Sequence, residues 1–510
     1  MLGPSTRRGG IVAQHEGGEG VAGLVEGPFG TPVPESRERA QLKADELSLF
    51  DATAVAVSSV APAYSLATAL GSMFIIASVG DKAPAMVILS FIPILFIAYA
   101  YFHLNRRNPN CGASYAWLSE IIHPAAGWFN GFLQVGISVI FCVQSPIVAA
   151  GYTLAFFNAL GWISGATARS TLLTALIASA WLVLITFFCI YGIRWTTNFQ
   201  WVLCIIEYLA VVVFSIGGII KVAVSNHQHR AFHAAWLNPF GVHGLGNIAT
   251  ALAVGTFLFW GWDTAVNLNE ETKAPGRTPG RAAILSMWLI LGVFLLNFVA
   301  AQLLLTPDQL GSDNLLFVFG VAFAGKWAGY VMIFAVLSSS VATAQTTLLP
   351  AARITYSMAR DEVFPQLFAK VHGTFKTPAI GTAVLGAFAM VGIWWVQYTG
   401  AGSNVIATFT NNVGAIVAFY YGIAGIACAW AFRRALVSWR FALTGIVLPF
   451  ISGVVLIAIM IWDIKSNGWS GMKWDILLLV LSAVLTPFVW AKRRSVAFFN
   501  QPLVAYTSQE

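Results

Sequence analysis

FLFWGWDTAVNLNEETKAPGRTPGR, residues 257–281, decides how the chain is read. It begins as a membrane helix, apolar from about Leu252 to Trp262. Gly261 then falls between Trp260 and Trp262, and a weak helix former flanked by bulky rings marks an interruption. Asp263 follows at once, and a carboxylate at membrane depth is expensive and by default functional. A basic, Pro/Gly-rich loop ends the stretch. The residues predict a discontinuous helix; the competing reading is an ordinary span with a tolerated Gly and an Asp near the headgroups.

Composition bounds the rest. The 510 residues are 58% hydrophobic and 10% charged, against about 25% charged in soluble domains, so the chain is a membrane protein. Its net charge of +7 is scattered between apolar spans, where it sets topology and gives no reason to expect nucleic acid. Five cysteines (Cys111, Cys142, Cys189, Cys204, Cys428) have no CxxC spacing, so neither a metal site nor a disulfide framework is expected. HExxH, GxxxxGK[ST] and GxSxG are absent, which removes the usual signatures of a membrane protease, an ATP-driven pump and a hydrolase. No cofactor and no covalent chemistry are expected.

Residues 1–46 are Gly-, Glu- and Arg-rich without apolar periodicity and read as a disordered cytoplasmic tail. Twelve apolar segments follow, at about 48–78, 84–104, 125–158, 168–192, 197–221, 246–270, 282–305, 315–350, 378–398, 403–432, 440–463 and 474–491. About 20 apolar residues cross the hydrocarbon core, so each suffices. With the N-terminus inside, 21 of the 28 Lys and Arg fall on the cytoplasmic side. That bias predicts a multi-pass protein of the cell membrane with both termini cytoplasmic. The layout divides into the tail, a five-helix unit over 47–222, a second over 245–432, helices 11 and 12 over 440–491, and a C-terminal tail over 492–510.

The two units match in layout. Segment 1 holds Pro62 deep inside, and Pro62 and Gly261 lie 199 residues apart. Because five is odd, tandem five-helix units are inverted in the membrane, and paired Pro/Gly interruptions point to a midplane binding site. Pro62 lacks an N–H and disfavours helical geometry at Ala61, freeing carbonyls around Val57, Ser58 and Ser59. It also starts a half-helix near Ala63 whose N-terminal dipole favours an anion. In segment 6 the carbonyls of Phe257 to Trp260 end a half-helix and favour a cation. The expectation is a site with two poles, matched to the two ends of a zwitterion. A Pro kink satisfied by Ser58 and Ser59 is the plainer alternative.

Four stretches carry a family resemblance over about residues 46–435: SSVAPAYSLA, NPNCGASYAWLSEIIHPAAGWFNGF, FLFWGWDTAVNLNEETKAPGRTPGRA and PAARITYSMARDEVFPQLFAKVHGTFKTPAIGT. The chain resembles the amino acid–polyamine–organocation superfamily of transporters. The resemblance implies an all-α fold of twelve transmembrane helices, with a five-plus-five inverted repeat and broken segments 1 and 6. It further implies secondary active transport of an amino acid or related amine by alternating access. The family's usual Gly pair in the first break is here Ser58-Ser59 and Ala61-Pro62, a departure that bears on substrate size. By match, substrate contacts are expected from Ser58, Ser59, Val60, Ala61, Ala63, Phe257, Phe259, Trp260 and Gly261, with Phe259 or Trp260 as an aromatic lid.

Coupling has two candidate seats. Glu207 lies about ten residues into segment 5, and the family varies its coupling residue there; we read it as the proton-coupling carboxylate, against a purely structural hydrogen bond. Ser339 and Ser340, with Ser338 and Thr343, could instead offer hydroxyls toward Na⁺, though such residues in membrane helices more often serve packing. Asp263 orients the unwound turn or neutralises a cationic substrate. Gln134, Gln144, Asn411 and Asn412 are polar groups at membrane depth that line a pathway or bond between helices. The stretch from about Arg353 to Lys376 reads as an amphipathic helix on the cytoplasmic face. Exchange, sodium symport and a non-transporting sensor remain as alternatives to proton-coupled uptake.

Overall fold

The computed structural model describes residues 24–26, 32–34, 42–225, 231–312, 314–399, 405–435, 438–504 and 506, with backbone alone for 24–26, 32–34, 405–411 and 469–471. The chain separates into two units, Met1–Gln41 and Leu42–Glu510. In the first, β1 (Leu24–Glu26) pairs antiparallel with β2 (Pro32–Pro34), Val25 opposite Val33. The remainder of the tail expected over 1–41 lies outside the described residues. The expected disorder does not extend to residues 42–46. Leu42 packs against Cys111 and Tyr356, and Glu46 and Leu47 donate their amides to the Glu271 carbonyl at 3.0 Å each.

The second unit is helical. In order come α1 (Leu49–Val60), α2 (Pro62–Ile75), α3 (Ala83–Arg107), α4 (Ser114–Ile121), α5 (Pro124–Ala159), α6 (Thr171–Tyr191), α7 (Ile193–Ser225) and α8 (Leu245–Leu258). Then follow α9 (Thr264–Asn267), α10 (Thr278–Leu304), α11 (Leu315–Ala324), α12 (Lys326–Arg360), α13 (Ala379–Tyr398), α14 (Val405–Phe432), α15 (Trp439–Gly468) and α16 (Met472–Arg493). Eleven spans among the described residues are long and apolar enough to cross a membrane, counting Leu49–Ile75 as one. Prolines open α2 and α5 at the first helical position, where their missing N–H costs nothing. α6, α7 and α16 turn large apolar side chains such as Phe187, Leu209 and Phe488 outward, as lipid-facing helices do.

Three boundaries differ from the sequence reading. Segment 6 does not run through to residue 270, because α8 stops at Leu258 and only the single turn α9 resumes beyond Asp263. Segment 8 does not begin at residue 315: Gly325 at φ +87° separates the short α11 from α12. Finally, no amphipathic surface helix begins at Arg353. α12 runs on to Arg360, with Arg353 and Met358 fully buried and Tyr356 nearly so, because these side chains pack against neighbouring elements of the bundle.

α12 lies along α5 and also touches α1, α2, α7 and α9, so it is the strut against which both breaks are held.

Candidate functional site

Segment 1 breaks where Pro62 demands it. Ala61 takes φ 50°, ψ 70°, ending α1 and starting α2 in one residue. A non-glycine residue held left-handed is strained by about 1–2 kcal/mol, and such strain persists only where the surroundings impose it. The carbonyls freed on the preceding turn find side-chain donors: Tyr208 Oη donates to the Val57 carbonyl at 3.2 Å, and Thr343 Oγ1 to that of Ser59 at 2.9 Å. Ser58 Oγ donates to Gln200 Oε1 at 2.6 Å.

Segment 6 breaks between Leu258 and Thr264. Gly261 has φ +117°, and a Cβ placed there would lie 2.9 Å from the carbonyl carbon, carbonyl oxygen and Oγ of Ser59. The glycine therefore lets the two breaks touch backbone to backbone. Ser59 Oγ and Thr264 Oγ1 lie 3.0 Å apart in a hydrogen bond, and Thr264 Oγ1 reaches the Thr346 carbonyl at 3.1 Å.

A small cavity opens at this junction, with a volume of about 20 Å³. Ser59, Trp260, Gly261, Asp263 and Thr264 come from the breaks. α5 adds Gln134 and Ser138, α9 Asn267, α12 Thr347, Pro350 and Ile354, and α14 Tyr420. Trp260 Nε1 donates to Tyr420 Oη, and the Trp260 ring meets Phe141 edge-on at 5.0 Å. Phe141 also packs on Tyr64 and Phe257, at 5.6 and 6.4 Å, so rings from α2, α5 and α8 form one cluster with Trp260, which lines the cavity.

Asp263 is buried, 7% exposed, among the phenols of Tyr101, Tyr420 and Tyr421. Those of Tyr101 and Tyr421 are buried and close no hydrogen bond of standard geometry. Glu207 stands behind segment 1, outside the cavity lining and fully buried. It faces the Ser339 hydroxyl and the Ala63 amide, at the first turn of α2, while neither carboxylate oxygen closes a hydrogen bond of standard geometry.

The sequence-predicted residues thus separate. Ser59, Trp260, Gly261 and Asp263 line the cavity with Gln134. Ser58, Val60, Ala61 and Ala63 are buried within or behind the break. Phe257 belongs to the ring cluster, whereas Phe259 turns away to pack between Phe91 and Phe294, at 5.5 and 5.4 Å. Ser339 accepts from the Tyr64 amide at 3.0 Å; Ser340 bonds its own helix, to the Val336 carbonyl at 2.7 Å. Gln144 is buried away from the cavity with its amide unpartnered, Asn412 is buried, and the side chain of Asn411 lies outside the described residues. Ser138, Thr264, Asn267, Thr347, Pro350, Ile354 and Tyr420 were missed. The one-turn spacing of 347, 350/351 and 354, and of 134 and 138, is the signal that could have found some of them.

Beyond Ile354 lies a clamp. Arg353 grips Glu271 through two 2.9 Å bonds, both side chains fully buried, and Arg360 pairs with Glu270 at 3.0 Å. Leu47 and Thr272 pair backbones beside it, tying the entry of segment 1 to the exit of segment 6.

Comparison with known proteins places these features in a family. The family model described as amino acid permease matches residues 47–493. The low-affinity putrescine importer of Escherichia coli (strain K12) is 25% identical over 419 residues, covering 79% of this chain and 86% of its own. The methylthioribose transporter of Bacillus subtilis (strain 168) is 25% identical over 488 residues, covering 90% and 96%. The human large neutral amino acids transporter small subunit 2 is 24% identical over 385 residues, covering 74% and 68%.

Proposed function

The chain belongs to the amino acid permease family, and from that premise we propose that it is a secondary active transporter, moving an amino acid or related amine across the cell membrane by alternating access with proton coupling. The family and its relatives are transporters and not enzymes. The observation that carries the reading is the contact of two broken helices, Gly261 on Ser59, at the edge of a polar cavity deep in an apolar bundle. Lipid-depth backbone leaves helical geometry only where protein or a water-filled cavity satisfies it.

The architecture we infer counts α1 with α2, and α8 with α9, as one discontinuous helix each. That makes twelve helices, ten of them in two inverted units over 47–222 and 245–432, followed by helices over 440–491. With both termini in the cytoplasm, Gln134, Asn267, Pro350 and Ile354 lie on the inner side of the breaks and the four-ring cluster on the outer side. The cavity then corresponds to an inward-facing arrangement, and the clamp of Arg353 and Glu271 borders its inner end.

Glu207 is the coupling residue of this proposal, and two placements support it. The carboxylate sits against the start of α2, where a proton gained or lost changes its attraction for the Ala63 amide and the half-helix dipole. The segment 8 hydroxyls that a sodium ion would use are committed to protein, Thr343 to the Ser59 carbonyl and Ser339 to the Tyr64 amide. Glu207→Gln in proteoliposomes should abolish accumulation driven by a pH gradient while leaving gradient-free exchange. Unchanged accumulation, or uptake that requires sodium in place of choline, would overturn proton coupling. Binding of substrate without any accumulation by the unmodified protein would instead identify a sensor.

A further inference from the structure

We propose that the junction of α3, α14 and α15 binds the phosphate headgroup of an anionic phospholipid, whose acyl chains lie along the exposed face of α15. The site stands apart from the cavity and from whatever substrate the cavity carries.

Charge is the first ground. The end of α3, the residues after α14 and the first turn of α15 supply Arg106, Arg433, Arg434 and Arg440. One ring cluster gathers them: His103 packs on Phe102, Phe441 and Phe432, with centroids at 5.3, 4.9 and 6.2 Å. Arg106 stands over Phe102, while Arg433 and Arg440 adjoin Phe432 and Phe441 in the chain. Residues 82–119 and 363–462 contain no Asp or Glu. Arg353 and Arg360 each grip a carboxylate, but these four arginines close no ion pair among the described residues. Guanidinium groups left without a carboxylate suit phosphate, which they can meet through two donors at once.

The second ground is depth. The Arg433 guanidinium lies 3.9 Å from the centre of the Trp430 ring, and that of Arg440 5.5 Å from the Trp439 ring. Both indoles are exposed, Trp430 by 55% and Trp439 by 70%. Exposed tryptophans of a membrane protein settle at headgroup level, so the guanidinium groups resting on them sit where lipid phosphates are. In the orientation proposed above, this is the cytoplasmic leaflet, the one that carries anionic lipid.

The third ground is the shape of α15. Beyond Arg440, Leu443, Val447, Phe450, Ile451 and Val454 are all exposed, at spacings that set them on one helix face. From Leu443 to Val454 that stripe runs about 16 Å, close to the ~15 Å of hydrocarbon in one leaflet. It starts on a π-helical turn, Ala442–Val447, a feature frequent at functional sites. Thr444 Oγ1 in this turn donates to the Arg440 carbonyl at 3.1 Å and lies 3.2 Å from His103 Nε2, which ties the turn carrying Arg440 to α3.

The test adds short-chain phosphatidylglycerol, short-chain phosphatidylcholine or inorganic phosphate to the full-length protein in neutral detergent and follows thermal unfolding. Phosphatidylglycerol should stabilise at an at least about tenfold lower concentration than phosphatidylcholine, with no stabilisation by inorganic phosphate over the same range. Arg433→Gln with Arg440→Gln should bring the two lipids to within about twofold of each other, whereas Lys370→Gln with Lys376→Gln, between α12 and α13, should keep the preference. Retention of phosphatidylglycerol over phosphatidylcholine by the parent protein purified from an equimolar mixture, read by native mass spectrometry, decides the matter even if the arginine variant folds poorly. Equal action or equal retention of the two lipids on the parent would overturn the site. So would protection by inorganic phosphate that matches phosphatidylglycerol, or an equal loss of preference in both double variants, which would mean a general surface charge.

Discussion

Removing the guanidinium of the Arg353–Glu271 clamp should cost more than any other single side-chain deletion near the cavity. Arg353 and Glu271 are both fully buried, joined by two bonds of 2.9 Å. At an effective dielectric near 20, unit charges about 4 Å apart attract by about 4 kcal/mol. Arg353→Met forfeits that attraction and strands the Glu271 carboxylate in the interior, a loss of about 3–5 kcal/mol. Against a total stability of roughly 5–15 kcal/mol, this is a fifth or more. The damage also spreads, because the Glu271 carbonyl receives the amides of Glu46 and Leu47 and so anchors the entry of segment 1. The double variant Arg353→Met with Glu271→Gln removes both charges and should recover most of the loss. Measured as unfolding in mild detergent, either single variant should fall about 5 °C below the parent, with the double variant between. A single variant within a degree of the parent, or a double variant no better than the worse single, would refute a charge-pairing origin for the clamp's strength.

Three further outcomes follow from the breaks. Gly261→Ala forces a Cβ at φ +117° against the Ser59 backbone, at a cost of about 2 kcal/mol or more; uptake should drop at least about tenfold in protein that still elutes as a single species, and near-parental uptake would contradict the backbone contact. Ala61→Gly relieves the left-handed strain at φ 50° and should raise the unfolding temperature by about 1–2 °C for roughly 1 kcal/mol; a lowered temperature would show that Ala61 is unstrained. Thr343→Val leaves the Ser59 carbonyl without its donor and should destabilise by about 1–3 kcal/mol, with Thr343→Ser restoring it; equal stability of the Val and Ser variants would sink that account.

Both helix breaks were legible because their causes are local. Pro62 cannot continue α1 whatever surrounds it, and Gly261 between two tryptophans needs no partner to mark an interruption. The limits of α5 and α10 were legible to within a few residues for the same reason, since an apolar run and its flanking prolines are read within one segment. Arg353 was not. As a sequence feature it is one more basic residue near the positive-inside face, and its partner lies 82 residues earlier, in the loop after segment 6. Tyr420 was missed on the same ground, because only the packing of α14 against the segment 6 break sets its hydroxyl on the Trp260 indole.

The expected two-pole site and the surroundings of Glu207 start from the same stretch of backbone. The dipole at the start of α2 follows from Pro62, and the acidic side chain that faces its first turn is Glu207, outside the cavity lining. In the proposed mechanism that carboxylate, supplied by α7, serves coupling. The cavity and the Glu207 carboxylate share one piece of backbone, because Ser59 meets Gly261 and Thr264 on the cavity side while Ala63 meets Glu207 on the other. A proton at Glu207 and a substrate in the cavity would then each bear on the Ser59–Ala63 turn, a requirement for coupling the two.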